Sequence, residues 1–148
     1  DSPFCLVADR TWLPDGGMLR DARLGRDILC WDGELESPGL ELHALRRKPF
    51  GYERSYLVTA ANGAAVAQSE STPTPVRSGE MLRADALLGQ EVLTNVNGVL
   101  AWTKVVSVED LGVMRVVKPD VGDRILFAGM SPEATIATHN LRAKDLEP

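Results

Sequence analysis

Part of this chain is written twice. Gly16-Gly17-Met18-Leu19-Arg20 recurs as Gly79-Glu80-Met81-Leu82-Arg83, and Ala22-Arg23-Leu24-Gly25-Arg26-Asp27-Ile28-Leu29 recurs as Ala86-Leu87-Leu88-Gly89-Gln90-Glu91-Val92-Leu93. A fainter match, Gly51-Tyr52-Glu53-Arg54 against Gly112-Val113-Met114-Arg115, follows at a nearly constant offset. Matches in the same order along both stretches identify an internal duplication. Two copies are too few for a solenoid, which must stack at least three repeats to bury a continuous core. The expected arrangement is two related halves around one pseudo-twofold axis.

The halves read as β structure. Asp15-Gly16, Asp32-Gly33, Asn62-Gly63 and Asn97-Gly98 are dipeptides favoured in type I′ hairpin turns. Between them lie short runs rich in β-branched residues, such as Arg54-Ser55-Tyr56-Leu57-Val58-Thr59, Glu91-Val92-Leu93-Thr94 and Lys104-Val105-Val106-Ser107-Val108. Helix-like content is confined to residues 19–24 and 82–88, each bounded by glycine and long enough for a turn or two. In each copy the expected unit is a strand, a glycine turn, a short helical turn packing Leu24 or Leu88, a reversal at Gly25 or Gly89, and an apolar strand leaving. These repeated residues read as scaffold, so the chemistry must be sought outside them.

Composition narrows the function classes. With 148 residues there is room for one domain with a sizeable core, and the 44% hydrophobic and 25% charged content is that of an ordinary globular chain. The formal charge is −5 and the longest basic cluster is Arg46-Arg47-Lys48, so nucleic acid, which demands a basic face, is not an expected partner. No apolar run is long enough to cross a bilayer and the first ten residues lack a charged-then-apolar leader, so no membrane partner is expected and the domain reads as soluble, cytoplasmic or virion-associated. Two cysteines do not make a disulfide framework, and two histidines with two cysteines, none at C-x-x-C or H-x-x-x-H spacing, give no metal or cofactor motif. No cofactor is expected. Cys30, beside Trp31 and before Asp32-Gly33, fits a core position at a strand end, and His43 matches no motif.

Outside the repeats, the ends carry Cys5-Leu6-Val7-Ala8 and Ala137-Thr138-His139-Asn140. An opening cysteine, then Leu13-Pro14-Asp15-Gly16, then Ala22-x-Leu24-Gly25-x-x-Ile28-Leu29, and a closing Phe127-Ala128-Gly129 followed by His139-Asn140 resembles the Hint domain of inteins, bacterial intein-like proteins and hedgehog autoprocessing domains. The resemblance covers residues 5–140, leaving 1–4 as the end of an upstream sequence and 141–148 as a downstream tail. It implies an all-β horseshoe of two pseudo-twofold-related β-halves with short helical turns. It also implies that Cys5 and His139-Asn140 share one site, whose substrate is the protein's own flanking polypeptide.

The residue types state the chemistry of such a site. A cysteine can attack the preceding carbonyl carbon, here that of Phe4, and exchange an amide for a thioester. The amide is a poor electrophile, so the step requires oxyanion stabilisation and protonation of the leaving nitrogen. In Hint domains the histidine of a Thr-x-x-His motif assists. Counting back from Gly79, that motif falls on Ser69-Glu70-Ser71-Thr72, so Ser69 replaces the threonine and Thr72 the histidine. A hydroxyl donates a hydrogen bond but has no pKa near neutrality, so assistance should fall by something like the ~10²–10⁴-fold that general acids contribute. At the other end, Asn140 can cyclise onto its own carbonyl carbon and release Leu141, with His139 donating to the oxyanion or the leaving amine. Leu141 has no hydroxyl or thiol to accept an acyl group, so splicing is chemically excluded. The resemblance extends to Hint-like domains at the C-terminal ends of larger phage and prophage proteins, where the motif histidine is likewise absent. That sets a self-processing domain against a degenerate Hint fold kept as a structural module.

Overall fold

In the computed structural model the described residues are 5–139. They form eleven strands: β1 (Leu6–Val7), β2 (Asp27–Trp31), β3 (Leu40–Ala44), β4 (Phe50–Ala60), β5 (Ala65–Ser69), β6 (Thr74–Pro75), β7 (Met81–Leu82), β8 (Glu91–Val96), β9 (Val99–Val117), β10 (Ile125–Ser131) and β11 (Ala134–His139). Helical content is limited to single 3₁₀ turns at Ala8–Arg10, Leu19–Asp21 and Ala84–Ala86. Nine strands pair in the order β1-β5-β4-β9-β8-β11-β10-β2-β3, with β1 also paired to β9, while β6 and β7 form a separate ribbon. The chain is all-β, as its turn chemistry predicts.

The duplication is visible in the backbone hydrogen bonds. Leu13 N–H donates to Gly17 O and Gly16 N–H to Leu13 O, both at 3.0 Å; Val76 to Glu80 at 3.0 Å and Gly79 to Val76 at 2.9 Å repeat the pattern. Further on, Gly25 and Leu45 exchange bonds with Leu45 and Arg26 (2.7 and 2.8 Å), and Gly89 and Val105 do the same with Val105 and Gln90 (2.9 and 2.8 Å). Gly25 at φ 92° and Gly89 at φ 83° occupy the left-handed region that side chains resist, which is why both copies keep glycine there.

The fainter repeat lies on the symmetry axis. β4 pairs antiparallel with the second part of β9, and the pairs include Gly51↔Val116, Glu53↔Met114 and Ser55↔Gly112. A rotation that carries Gly51 onto Gly112 also carries Ser55 onto Val116. It therefore exchanges the outer two pairs and leaves Glu53↔Met114 in place. β9 itself serves both halves: residues up to Lys104 pair with β8 and those from Val105 onward with β4. Irregularities at Ser55/Tyr56 and Thr59/Ala60 let this 19-residue strand bend as it changes partner.

Three local expectations are corrected. Leu24 and Leu88 do not pack inside; they are 59% and 63% exposed. Each is the second residue of a four-residue turn, closed by Arg26 N–H to Arg23 O (3.1 Å) or Gln90 N–H to Leu87 O (2.9 Å), with glycine third in the left-handed region. That geometry turns the second side chain outward. The buried positions are Leu19 and Ala22 in the first copy, Ala84 and Leu87 in the second. Residues 82–88 also begin extended, in β7, before their 3₁₀ turn. Finally, only Asn97-Gly98 forms the two-residue turn with positive φ at both positions, 51° and 86°. Asn62-Gly63 lies in a three-residue loop in which Gly63 alone is left-handed, and Asp32-Gly33 opens a longer loop closed by Asp32 N–H to Gly39 O at 3.0 Å.

The main core gathers Leu6, Leu13, Leu19, Ile28, Leu45, Val58 and Ile136 with their neighbours. Satellite clusters form around Phe127 with Trp31 and Leu93, and around Cys5 with Val7, Ala67 and Val116. The last places Cys5 at the seam between β1, β5 and β9.

Candidate active site

Burial of Leu6 and Val7 draws the opening segment into the sheet, where Leu6 stands opposite Gln68 of β5 and Val117 of β9. Cys5 is thereby fixed one residue before the strand, 5% exposed, with its carbonyl accepting from Ser69 N–H at 2.8 Å. After β5 the chain makes a turn closed by Thr72 N–H to Ser69 O at 3.1 Å. Pro73 follows and restricts Thr72 to extended backbone. The turn returns both hydroxyls to the residue the sheet has fixed.

Cys5 N–H donates to Thr72 Oγ1 at 3.0 Å and lies 3.4 Å from Ser69 Oγ. Thr72 Oγ1 donates to Cys5 O at 3.0 Å, and the two hydroxyl oxygens are 2.6 Å apart. One proton assignment fits all of these contacts: Ser69 donates to Thr72, and Thr72 accepts from Cys5 N–H while donating to Cys5 O. Ser69 and Thr72 are themselves 0% and 1% exposed, so the hydroxyl pair operates away from bulk water. The nitrogen they hold is the one that joins Cys5 to Phe4 in the sequence.

A second group faces the sulfur. Cys5 Sγ donates to Glu53 Oε2 at 3.5 Å. Burial pushes the thiol pKa up to about 12, helped by the charge of Glu53 and its hydrogen bond and opposed by Lys118. At neutral pH the sulfur is a thiol, not a thiolate.

Gln68 ties this corner to the other end of the chain. Fully buried, it donates from Nε2 to Thr74 Oγ1 at 2.8 Å and Thr72 O at 3.4 Å, and its Oε1 accepts from Thr138 Oγ1 at 3.1 Å. Thr138 and His139 end β11, opposite Leu126 and Ile125. The backbone leading to His139 is thus fastened to the residue adjoining Ser69. Asn140 lies outside the described residues, as does the His139 side chain.

Of the sequence-predicted residues, Cys5, Ser69 and Thr72 meet in one buried cluster, and the strand bearing His139 reaches it through Gln68. Sequence reasoning missed Glu53, Gln68 and Thr138. Two of these leave a trace in the sequence: Glu53 is a charge whose repeat partner is Met114, and Gln68 interrupts the apolar run Ala65-Val66-Ala67. Cys30 sits at 0% exposure in the main core, its thiol turned to Ile28 O, and His43 lies beside Glu41 on β3, the opposite edge of the sheet from β1. Among the described residues, no three of His, Cys, Asp or Glu gather closely enough to hold a metal ion.

No family model and no curated protein matches the sequence. Solved structures do. A variant of the Ssp DnaB mini-intein superposes with a TM-score of 0.76 at 18% identity, covering 97% of this chain and 96% of its own. The bacterial intein-like domain from Clostridium thermocellum gives 0.71 at 14% identity over 94% and 100%, and a variant of the gp41-1 intein 0.69 at 21% over 92% and 98%. With a duplicated β unit, a pseudo-twofold axis and first and last strands tied at one corner, this chain has the Hint fold of the inteins and bacterial intein-like domains.

Proposed function

We propose that residues 5–140 form a self-processing domain that cleaves the peptide bonds at its own flanks and does not splice them. The observation that carries this reading is the 3.0 Å hydrogen bond from Cys5 N–H to Thr72 Oγ1, within a buried hydroxyl pair. It supports this reading because a proton carrier then adjoins the atom that must leave when Cys5 sulfur attacks the carbonyl carbon of Phe4. At the second bond, Asn140 closes a succinimide and releases Leu141, and His139 supplies the donor. The Gln68–Thr138 contact supports one shared corner for both reactions. Leu141, lacking a nucleophile, ends the sequence at cleavage.

The N-terminal step is slow by design of its residues. With a thiol pushed to about 12, roughly one sulfur in 10⁵ is ionised at pH 7, and the hydroxyls replace an acid of matched pKa. That observation favours a second reading, a Hint fold retained as a structural module at the end of a larger protein.

The two readings separate in one experiment. The chain is placed between reporter proteins and followed by intact mass, with and without dithiothreitol. Thiol-dependent release of the upstream reporter, absent in Cys5→Ala, is the expected outcome, together with downstream release that disappears in Asn140→Ala. Masses unchanged over days overturn self-processing. In that case Thr72→His tests for a decayed processor, since restored cleavage requires the rest of the site to be intact.

A further inference from the structure

Resting on the self-cleavage reading, we propose that Glu53 is the group that accepts the Cys5 thiol proton as the thioester forms. Glu53 stands on β4 at the symmetry axis, paired across to Met114, and its carboxylate oxygen Oε2 lies 3.5 Å from the sulfur, while the hydroxyl pair holds the Cys5 nitrogen. Apart from the hydroxyl pair, the side chains packed on Cys5 include the apolar Val7, Ala67 and Val116, and the half-buried Glu53 carboxylate is the group that meets its sulfur. Other acids of this protein, such as Asp9, Asp15 and Asp110, are paired with arginines. Glu53 forms no salt bridge among the described residues, and the hydrogen bond its side chain accepts comes from the thiol.

The chemistry requires such an acceptor. Because the sulfur is protonated at neutral pH, its proton must leave during the attack rather than before it. The Cys5 Sγ–H bond breaks and the proton passes to Glu53 Oε2. Sulfur bonds to the carbonyl carbon of Phe4, and that carbon's bond to the Cys5 nitrogen breaks. The nitrogen takes the Thr72 hydroxyl proton, Ser69 reprotonates Thr72, and water restores Ser69 while receiving the proton held on Glu53. No redox partner enters, and the net change is that the Phe4 acyl group moves from nitrogen to sulfur while one proton moves from sulfur to nitrogen.

The charge that makes Glu53 an acceptor also opposes a free thiolate, with Lys118 the cation that favours one. These two effects have opposite signs in one variant. In Glu53→Gln, the Cys5 thiol should titrate at lower pH, read as the 240 nm absorbance difference from Cys5→Ala, and alkylation by iodoacetamide should become faster. Dithiothreitol-dependent release of an upstream reporter should nevertheless slow by about 10²-fold, the scale of a lost general base. Glu53→Asp, which keeps a carboxylate, should recover part of that rate, and urea midpoints check that each variant is folded. If release in Glu53→Gln is unchanged, or rises together with alkylation, the assignment to Glu53 is overturned while self-cleavage stands. If the parent chain releases nothing, the self-cleavage reading falls first and the role of Glu53 in it falls too.

Discussion

The same backbone unit occurs twice, and only the second copy turns hydroxyls toward Cys5. In the first half, Leu19 N–H bonds Thr11 O, Trp12 bridges Met18, and the turn before them is Ala8–Arg10. In the second half, Thr74 pairs with Leu82 and Pro75 with Met81 at the same offset, and the turn before them holds Ser69 to Thr72. Thr11 uses its hydroxyl locally, donating to Val7 O at 2.6 Å, and Asp9 points outward to Arg20. The matching turn in the second half faces Cys5 instead, with Ser69 and Thr72 where the first copy has Leu6 and Asp9. Symmetry supplies the frame, and departure from symmetry in a few side chains sets the proposed site apart.

This contrast breaks if the two frames are not equally structural. Each repeat buries a leucine near its 3₁₀ turn, Leu19 in the first and Leu87 in the second, both at 0% exposure. Leu19→Ala and Leu87→Ala should each lower stability by about 2–5 kcal/mol in urea unfolding. A loss confined to one of them would show that the repeats do not share the load.

A smaller effect sharpens the contrast. Thr72→Val strips the acceptor from a buried amide, so it should cost about 1–3 kcal/mol and abolish any thiol-dependent release. Asp9→Ala in the matching turn removes only an exposed ion pair, and its effect should stay within about 0.5 kcal/mol with release unaltered. Equal effects in the two turns would contradict the assignment of function to one copy.

A further effect is absent at neutral pH. Burial pushes both Cys5 and Cys30 up to about 12 from an ordinary 9.0, with Glu53 adding in one case and Glu41 in the other. Between these values the folded state binds more protons than the unfolded state, so stability is complete below about pH 9 and declines as pH rises toward 12. Urea midpoints measured from pH 8 to 11 should fall, and Cys5→Ala and Cys30→Ala should each flatten part of the decline. A curve untouched by either substitution would mean that the thiols are not held protonated by the fold.

Much of the frame was legible because glycine, turn dipeptides and β-branched runs act over a few residues. Ser69 and Thr72 were legible through the resemblance to Hint domains, by counting back from Gly79 to the position of the Thr-x-x-His motif. Leu24 and Leu88 misled because an apolar residue in a turn looks like core until the turn type is known, and the turn type is set by the glycine that follows. Glu53 escaped because its meaning arises from a contact 48 positions away, created when β1 inserts beside β9. Gln68 and Thr138 escaped likewise: their bond joins positions 70 apart and leaves no local pattern.

The long strand β9 has a thermodynamic consequence. One half uses its beginning and the other its end, so its hydrogen bonds cannot be divided between two independent units. Melting either half strips an edge from the strand that completes the other. The duplication therefore describes ancestry and geometry, while cooperativity belongs to the whole chain: the two halves should be lost in a single transition.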